Sequence, residues 1–230
     1  MPFGFHRRGR AAKAKATLAG VPAGSAGTGE TARTRTGVPF EGLTEDWRLV
    51  GFMELDGRLL DVLNRREVIP IGNMAWSTVD AVADLQPAPG LQKVDPYDLI
   101  VVLAGDLTLP PLNDAEKAAF RRNKVAYDVI LELPPYRVIG TVFLHPGSEP
   151  ERLMDRGSDL FFPVTNAVAL SGDVRLGDPA VDVALVNRSY LRGVEQVDRS
   201  QVAAARERLP VGPVGPVEPV GPVGPAGSTG

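Results

Sequence analysis

The stretch "RLVGFMELDGRLLDVLNRREVIPIGNMA" (48–75) has a counterpart in "RVIGTVFLHPGSEPERLMDRGSDLFFPVTNA" (137–167). Each begins as a strand, continues through a short segment with helical spacing, and ends in an apolar strand that contains a proline and an asparagine. The common order indicates a tandem duplication, in which Leu59 and Leu153 are expected to be buried. The matched residues are Arg58-Leu59-Leu60-Asp61 with Arg152-Leu153-Met154-Asp155, Pro70 with Pro163, and Asn73 with Asn166.

The flanking segments extend the match. "GVPFEGL" precedes the first copy, and "VAYDVILEL", with Val125, Tyr127, Val129 and Leu131 on one face, precedes the second. A loop with Asp95-Pro96 or Asp178-Pro179 then leads to a final hairpin in "DLIVVLAGDLTL" or "DVALVNRSYLRGV". Five short strands are too few for a sandwich but enough for a small barrel, which removes exposed sheet edges. The sequence therefore predicts a mainly β protein, a tandem duplication of a small five-stranded barrel-like unit with one short helical segment per repeat.

Composition sets the predicted boundaries. Both ends lack the large apolar side chains whose burial offsets the entropy of ordering a chain. Two helices are expected between and after the barrels: "NDAEKAAFRRNK", with Asn113 or Asp114 as N-cap, and "SQVAAARERL", which starts at Ser200. The predicted segments are a disordered basic arm (1–37), repeat 1 (38–112), a linking helix (113–124), repeat 2 (125–197), a short helix (198–209) and an extended Val-Gly-Pro-rich tail (210–230).

Composition also excludes several classes of protein. The chain has no Cys, which rules out disulfides, thiolate metal sites and cysteine nucleophiles. No apolar run approaches the roughly 18 to 20 residues that span a bilayer, and the N-terminus lacks the apolar segment of a secretory signal. We therefore expect a soluble, cytoplasmic protein.

Charge is distributed unevenly along the chain. Residues 1–36 carry seven basic residues and one acidic residue, a net charge of +6, so the remainder carries −9 of the total of −3. Five of these basic residues form a possible polyanion-binding site that could contact nucleic acid, or an anionic membrane surface together with Phe3 and Phe5. A targeting peptide and a solvated tail without a partner remain alternatives. The five are Arg7, Arg8, Arg10, Lys13 and Lys15.

The residues able to support chemistry are few, and we expect no catalytic residue, cofactor or metal. His6 and His145 have no partner at ligand spacing. Asp61 and Asp155 belong to separate copies, and each is expected to pair locally with the arginine three residues earlier. Asn73 and Asn166 are expected to satisfy buried backbone groups. Asn187-Arg188 is expected to make a tight turn with a left-handed asparagine.

The aromatic residues do not form the stacking surface that RNA-binding sheets need. They occur singly or at apolar strand positions of an acidic body, so we expect them in the core. They are Trp47, Phe52, Trp76, Tyr97, Tyr127, Tyr136, Phe143, Phe161 and Phe162.

The order R-L-x-D, F-x-P-x-T-N-A and V-N-R-x-x-L, at 152–155, 161–167 and 186–191, resembles an uncharacterised bacterial repeat of small β-rich proteins. The first copy keeps Arg58 to Asp61 with Leu63-Asn64, but it departs at "PIGNMA" and has Leu103-Ala104 in place of the Asn-Arg pair. The resemblance implies the fold unit and no reaction.

These observations favour a non-enzymatic binding or scaffold module with an unknown protein partner. One alternative is a nucleic-acid-associated or membrane-peripheral protein that uses the basic arm. Another is an enzyme with a site between the two barrels, which would need converging polar groups in a pocket.

Overall fold

The computed structural model describes residues 37–79, 84–105, 108, 123–155, 157, 159–177 and 182–208. Within them the protein is mainly β, as the alternating apolar pattern predicts. The two halves of the described chain are residues 37–108 and 123–208, and the N-terminal half contains seven strands, one α-helix and one 3-10 helix. These are β1 (Val38–Leu43), β2 (Trp47–Met53), α1 (Leu59–Asn64), β3 (Ile69–Pro70), β4 (Gly72–Thr78), β5 (Gln86–Pro87), β6 (Lys93–Val94), η1 (Pro96–Asp98) and β7 (Val101–Ala104).

The C-terminal half repeats much of this order. Two long strands come first, followed by a short helical segment and a third long strand, as in the N-terminal half. The elements are β8 (Val125–Leu133), β9 (Tyr136–Leu144), the 3-10 helix η2 (Pro150–Met154), β10 (Phe161–Ser171), β11 (Val174–Leu176), β12 (Val183–Asn187), the 3-10 helix η3 (Arg188–Tyr190), β13 (Gly193–Gln196) and α2 (Arg199–Arg208).

Strands of both halves join one antiparallel sheet of eleven strands. Its order is β13-β8-β9-β10-β12-β7-β1-β2-β4-β5, with β11 beside β10, while β3 and β6 pair separately. The sheet does not return on itself, so the predicted closed barrels are wrong. The reason lies in β7 and β12, which pair with each other across the two halves instead of closing a unit of their own.

The final hairpin predicted for the second copy is also wrong, whereas the one predicted for the first copy extends into residues outside the described part of the chain. β7 pairs with β1 and β12, and β12 pairs with β10 and β7, so β12 and β13 are not hairpin partners. The cause is visible in the composition of these strands, because both faces of β7 are buried. A strand that is apolar on both faces needs a protein layer on each side.

Two hydrophobic cores share these central strands. Val101 and Leu103 pack with the core of the C-terminal half, whereas Val102 and Ala104 pack with the core of the N-terminal half. This division follows from the period-two alternation of side chains along a strand. Leu185 of β12 likewise reaches the core of the N-terminal half. Each half therefore completes the core of the other.

The helical segments dock on these cores. Leu59 of α1 and Leu153 of η2 are 2% and 5% exposed, which confirms that both are buried. Val202 of α2 packs against Ile139, Val168 and Leu170. Residues 113–122 of the predicted linking helix lie outside the described part of the chain. His6, the basic arm and the Val-Gly-Pro tail also lie outside it. No described helix combines the length and apolar character needed to cross a membrane.

A β-bulge recurs at matched positions in the two halves. The register between β2 and β4 shifts beside Asn73, and the register between β9 and β10 shifts beside Asn166. Both asparagines have left-handed backbones, with φ of 49° and 50°, a conformation that asparagine tolerates better than most residues. Both are exposed, so the prediction that they satisfy buried backbone groups is wrong. Their backbone conformation, which the bulge requires, accounts for them.

Candidate functional site

Several polar side chains make long-range hydrogen bonds at the junction between the two halves. Its backbone consists of β7 and β12 in antiparallel register, with Val101 opposite Val186 and Val102 opposite Leu185. The backbone N–H of Asn187 donates to the carbonyl of Ile100 at 2.9 Å and extends the pairing by one residue. The two halves are thus joined by a continuous hydrogen-bonded ladder.

Asn187 closes one end of this ladder. Its side chain is fully buried, and its Oδ1 accepts a hydrogen bond from the Ser189 N–H at 2.9 Å, which caps η3. Its Nδ2 donates to the carbonyl of Leu99, in the other half, at 2.7 Å. The backbone is extended, with φ −77° and ψ 116°, so the predicted left-handed turn is wrong. A capping residue needs this extended geometry because its side chain must reach forward to a free N–H.

Asp95 has the same capping role in the N-terminal half. It follows β6 as Asn187 ends β12, and its Oδ1 accepts from the Tyr97 N–H at 2.9 Å to cap η1. A carboxylate has no proton to donate, so Asp95 lacks the second function of Asn187. The alignment of the two copies matches Leu103-Ala104 with Asn187-Arg188. The structure instead puts Leu103 in the middle of β7, where it pairs with β12.

Asn64, the last residue of α1, makes a reciprocal pair of hydrogen bonds across the junction. Its Nδ2 donates to the Phe161 carbonyl at 3.1 Å, and its Oδ1 accepts from the Phe161 N–H at 2.7 Å. A side-chain amide carries both a donor and an acceptor, so it imitates a neighbouring strand. Asn64 therefore attaches α1 of the N-terminal half to the start of β10 in the C-terminal half.

Two tyrosine hydroxyls add further bonds between the halves. Tyr136 donates to the carbonyl of Thr44 at 2.6 Å, and Tyr190 donates to the carbonyl of Tyr97 at 3.1 Å. Burial raises the pKa of Tyr136 above its ordinary value, and the negative charge of Asp46 adds to this effect. The raised pKa keeps the Tyr136 hydroxyl protonated as a donor.

Arg188 connects the junction to η2. Its Nη1 donates to the carbonyls of Leu153 at 2.5 Å and Asp155 at 3.3 Å, and its guanidinium lies 5.2 Å from the centre of the Phe162 ring. Burial lowers the pKa of Arg188, while the charges of Asp159 and Asp155 oppose that change. Arginine remains charged at any ordinary pH, so the contact orders backbone carbonyls and supplies no proton.

The other candidate residues are dispersed. Asp61 lies in the first turn of α1, whereas Asp155 follows η2. His145 is exposed, and the five basic residues of the arm lie outside the described part of the chain. The prediction that the aromatics are core is confirmed for Tyr136, Phe161 and Phe162, which are buried. It is wrong for three others, since Trp47, Phe52 and Tyr97 are 40%, 42% and 48% exposed.

Sequence reasoning missed the roles of Asn64 and Tyr136. An asparagine at the end of a helix ordinarily suggests a helix stop, and a tyrosine after a turn suggests core packing. Neither pattern reveals a partner 97 or 92 residues away in the chain. The Asn187-Arg188 pair after an apolar run is a sequence signal at the junction. It predicts a left-handed turn, however, whereas Asn187 is an extended cap residue.

No protein-family model, curated protein or solved structure matches the chain.

Proposed function

We propose that this protein is a non-enzymatic binding or scaffold module, built from two copies of one β unit, that engages a protein partner. The observation that carries the proposal is that the polar side chains at the junction are hydrogen-bonded to the backbone of the protein itself. Asn64, Asn187 and Arg188 donate to backbone carbonyls, and the two asparagines bridge the halves. Side chains committed in this way hold two units in one fixed orientation, which is what a scaffold requires.

The two-copy organisation is supported by close matches in local geometry. A Cβ added to Gly51 would lie 2.6 Å from Ile71 Cγ2 and 2.9 Å from the Gly72 carbonyl oxygen. A Cβ added to Gly140 would lie 2.7 Å from Val164 Cγ1 and 2.8 Å from the Thr165 carbonyl oxygen. In each half, a strand glycine therefore packs against the neighbouring bulged strand with no room for a Cβ atom. Independent origin of this detail would be a coincidence.

The place between the two predicted barrels, where an enzyme site was the alternative, contains paired strands. Val101, Val102 and Ala184 are all fully buried there. The amide of Asn187 is engaged on both its oxygen and its nitrogen. These contacts favour a structural role for the junction over a reactive one.

A protein partner is favoured by the ends of the sheet. Among the described residues, β13 pairs with β8 alone and β5 pairs with β4 alone. A strand with one unpaired side offers N–H and carbonyl groups to an added strand, which is a common mode of protein recognition.

The proposal is tested by using the tagged full-length chain as bait in extracts of its native source, and then measuring the affinity of each captured protein in purified form. A scaffold predicts saturable, stoichiometric binding. That binding should weaken in the junction variant Asn187→Ala, which loosens the halves, and should survive in Lys124→Ala, a change at the exposed residue just before β8. No saturable binding by any captured protein would contradict the proposal.

The charge of the N-terminal arm favours a second role. Its +6 charge precedes a body of −9, and binding to a polyanion would follow from that charge alone. This role is independent of the junction and can be removed by deleting residues 1–16.

A further inference from the structure

The junction joins two different kinds of strand. β12 comes directly before the 3-10 helix η3, whereas β7 comes directly after the 3-10 helix η1. Each half has one strand of each kind, because β6 precedes η1 and β13 follows η3. The contact within the chain therefore joins two non-equivalent surfaces, the strand before a 3-10 helix in one half and the strand after a 3-10 helix in the other. We call such a contact head to tail. It leaves β6 at one end and β13 at the other.

Both remaining strands have an unpaired side in the described part of the chain. β6 pairs with β3 alone, and β13 pairs with β8 alone. A head-to-tail contact that is used once leaves complementary surfaces at its two ends, so it can be repeated between molecules.

We infer that chains associate head to tail, with β6 of one chain pairing with β13 of the next in the register that β12 and β7 use within the chain. The inference rests on the proposed two-copy organisation, and it names a second copy of this chain as the partner of β13, at one end of the large sheet, and of β6, which pairs with β3 outside that sheet.

The transferred register brings opposite charges together. Within the chain, Asn187 lies opposite Ile100, where the ladder ends. Asp95 corresponds to Asn187 as the cap of its 3-10 helix, and Arg192 corresponds to Ile100 as the residue before the following strand. Asp95 of one chain therefore lies opposite Arg192 of the next. Opposite charges facing each other across a strand pair favour that register.

Exposed apolar side chains occur where the internal junction has its contacts. Trp47 begins β2 as Tyr136 begins β9, but Trp47 is 40% exposed whereas Tyr136 is 2% exposed and bonded across the junction. Leu91 stands three residues before Val94, as Val183 stands three residues before Val186, and Leu91 is 39% exposed. A second copy would cover both, and the indole N–H of Trp47 would take the place of the Tyr136 hydroxyl.

The mass of the purified full-length protein in solution tests the inference, measured by light scattering on a size-exclusion column over about 1 to 100 µM. We expect a concentration-dependent mass that reaches at least twice the 24.5 kDa of one chain. Arg192→Asp should weaken the association at least about tenfold, and Asp95→Arg combined with Arg192→Asp should restore most of it. Lys124→Asp, outside the β8 segment that pairs with β13, is the matched control for charge reversal and should leave the mass unchanged.

Folding is controlled separately, because Asp95 also caps η1. Arg192→Asp leaves that cap intact and removes only the hydrogen bonds from Arg192 Nη1 to the carbonyls of Ser189 and Leu191, so its circular dichroism should match that of the wild type, with a small fall in unfolding midpoint, while its mass falls. In a Trp76→Phe background, Trp47 alone reports the contact. Its emission should move to shorter wavelength as concentration rises.

Two results would overturn the inference in different ways. A monomer at every concentration would remove self-association while leaving the two-copy scaffold and its external partners untouched. An oligomer that ignores both Arg192→Asp and the double reversal would show that the register is wrong, and with it the correspondence between the halves on which the proposed function stands.

Discussion

Asn187 Nδ2 donates to the carbonyl oxygen of Leu99 at 2.7 Å, and this bond joins residues 88 positions apart at the boundary between the two halves. The same side chain caps η3 through its oxygen. One fully buried amide therefore fixes both a local helix and the relative position of two strand systems. The contact explains why a polar residue ends the otherwise apolar strand β12.

Asn187→Ala should lower the free energy of unfolding by about 2 to 4 kcal/mol, because it removes the cap and leaves the buried Leu99 carbonyl without this donor. Urea denaturation followed by circular dichroism measures the change. Ser189→Ala is the matched control, since it keeps the Ser189 N–H that Asn187 caps. A loss below about 0.5 kcal/mol for Asn187→Ala would mean that the junction amide has little energetic role.

Gly140→Ala should destabilise the protein by about 1 to 3 kcal/mol, because its Cβ would lie 2.8 Å from the rigid Thr165 carbonyl oxygen. Gly51→Ala should have a similar cost for the same reason. Gly90→Ala, where an added Cβ meets nothing within 4 Å, is the control and should be nearly neutral. Equal stability of all three variants in thermal unfolding would refute the shared bulge geometry.

Tyr136 should make stability fall in alkaline solution. Burial raises its folded pKa above the ordinary value of 10.0 that applies in the unfolded chain. The unfolded state therefore loses its proton first, and the stabilisation that is present below pH 10 is lost as pH rises above it. Tyr136→Phe should unfold more readily at neutral pH but show a shallower decline above pH 10. Parallel pH profiles of the two proteins would exclude this role.

The arm, if it contacts a polyanion, should bind by charge and not by sequence. With five basic residues from Arg7 to Lys15, the logarithmic salt slope for duplex DNA should be no steeper than roughly −4.5. Deletion of residues 1–16 should abolish binding, while Phe3→Ala with Phe5→Ala should weaken binding to anionic vesicles only. Equal, negligible binding by the intact and deleted chains, titrated at two salt concentrations, would reduce the arm to a solvated tail.

The sequence predicted local features more successfully than long-range ones. Alternation located β8, and the match of Leu59 with Leu153 found two buried helical anchors, because these depend on neighbours within a few residues. The pairing of β7 with β12 depends on residues about 80 positions apart, and short apolar runs carry no information about which partner they choose. The same limit applies to the site. The Asn187-Arg188 pair stands out in the sequence, but no sequence pattern predicts the hydrogen bond from Asn187 to Leu99.

The central claim is that the two halves share one core through the junction strands, and unfolding of a Leu153→Asp variant tests it most directly. Leu153 lies in the core of the C-terminal half, whereas both tryptophans, Trp47 and Trp76, lie in the N-terminal half. If the halves share one core, tryptophan fluorescence and circular dichroism follow one common transition, shifted to lower urea by several kcal/mol of lost stability. A fluorescence transition that stays at the wild-type midpoint would show that the halves unfold independently and that the core is not shared.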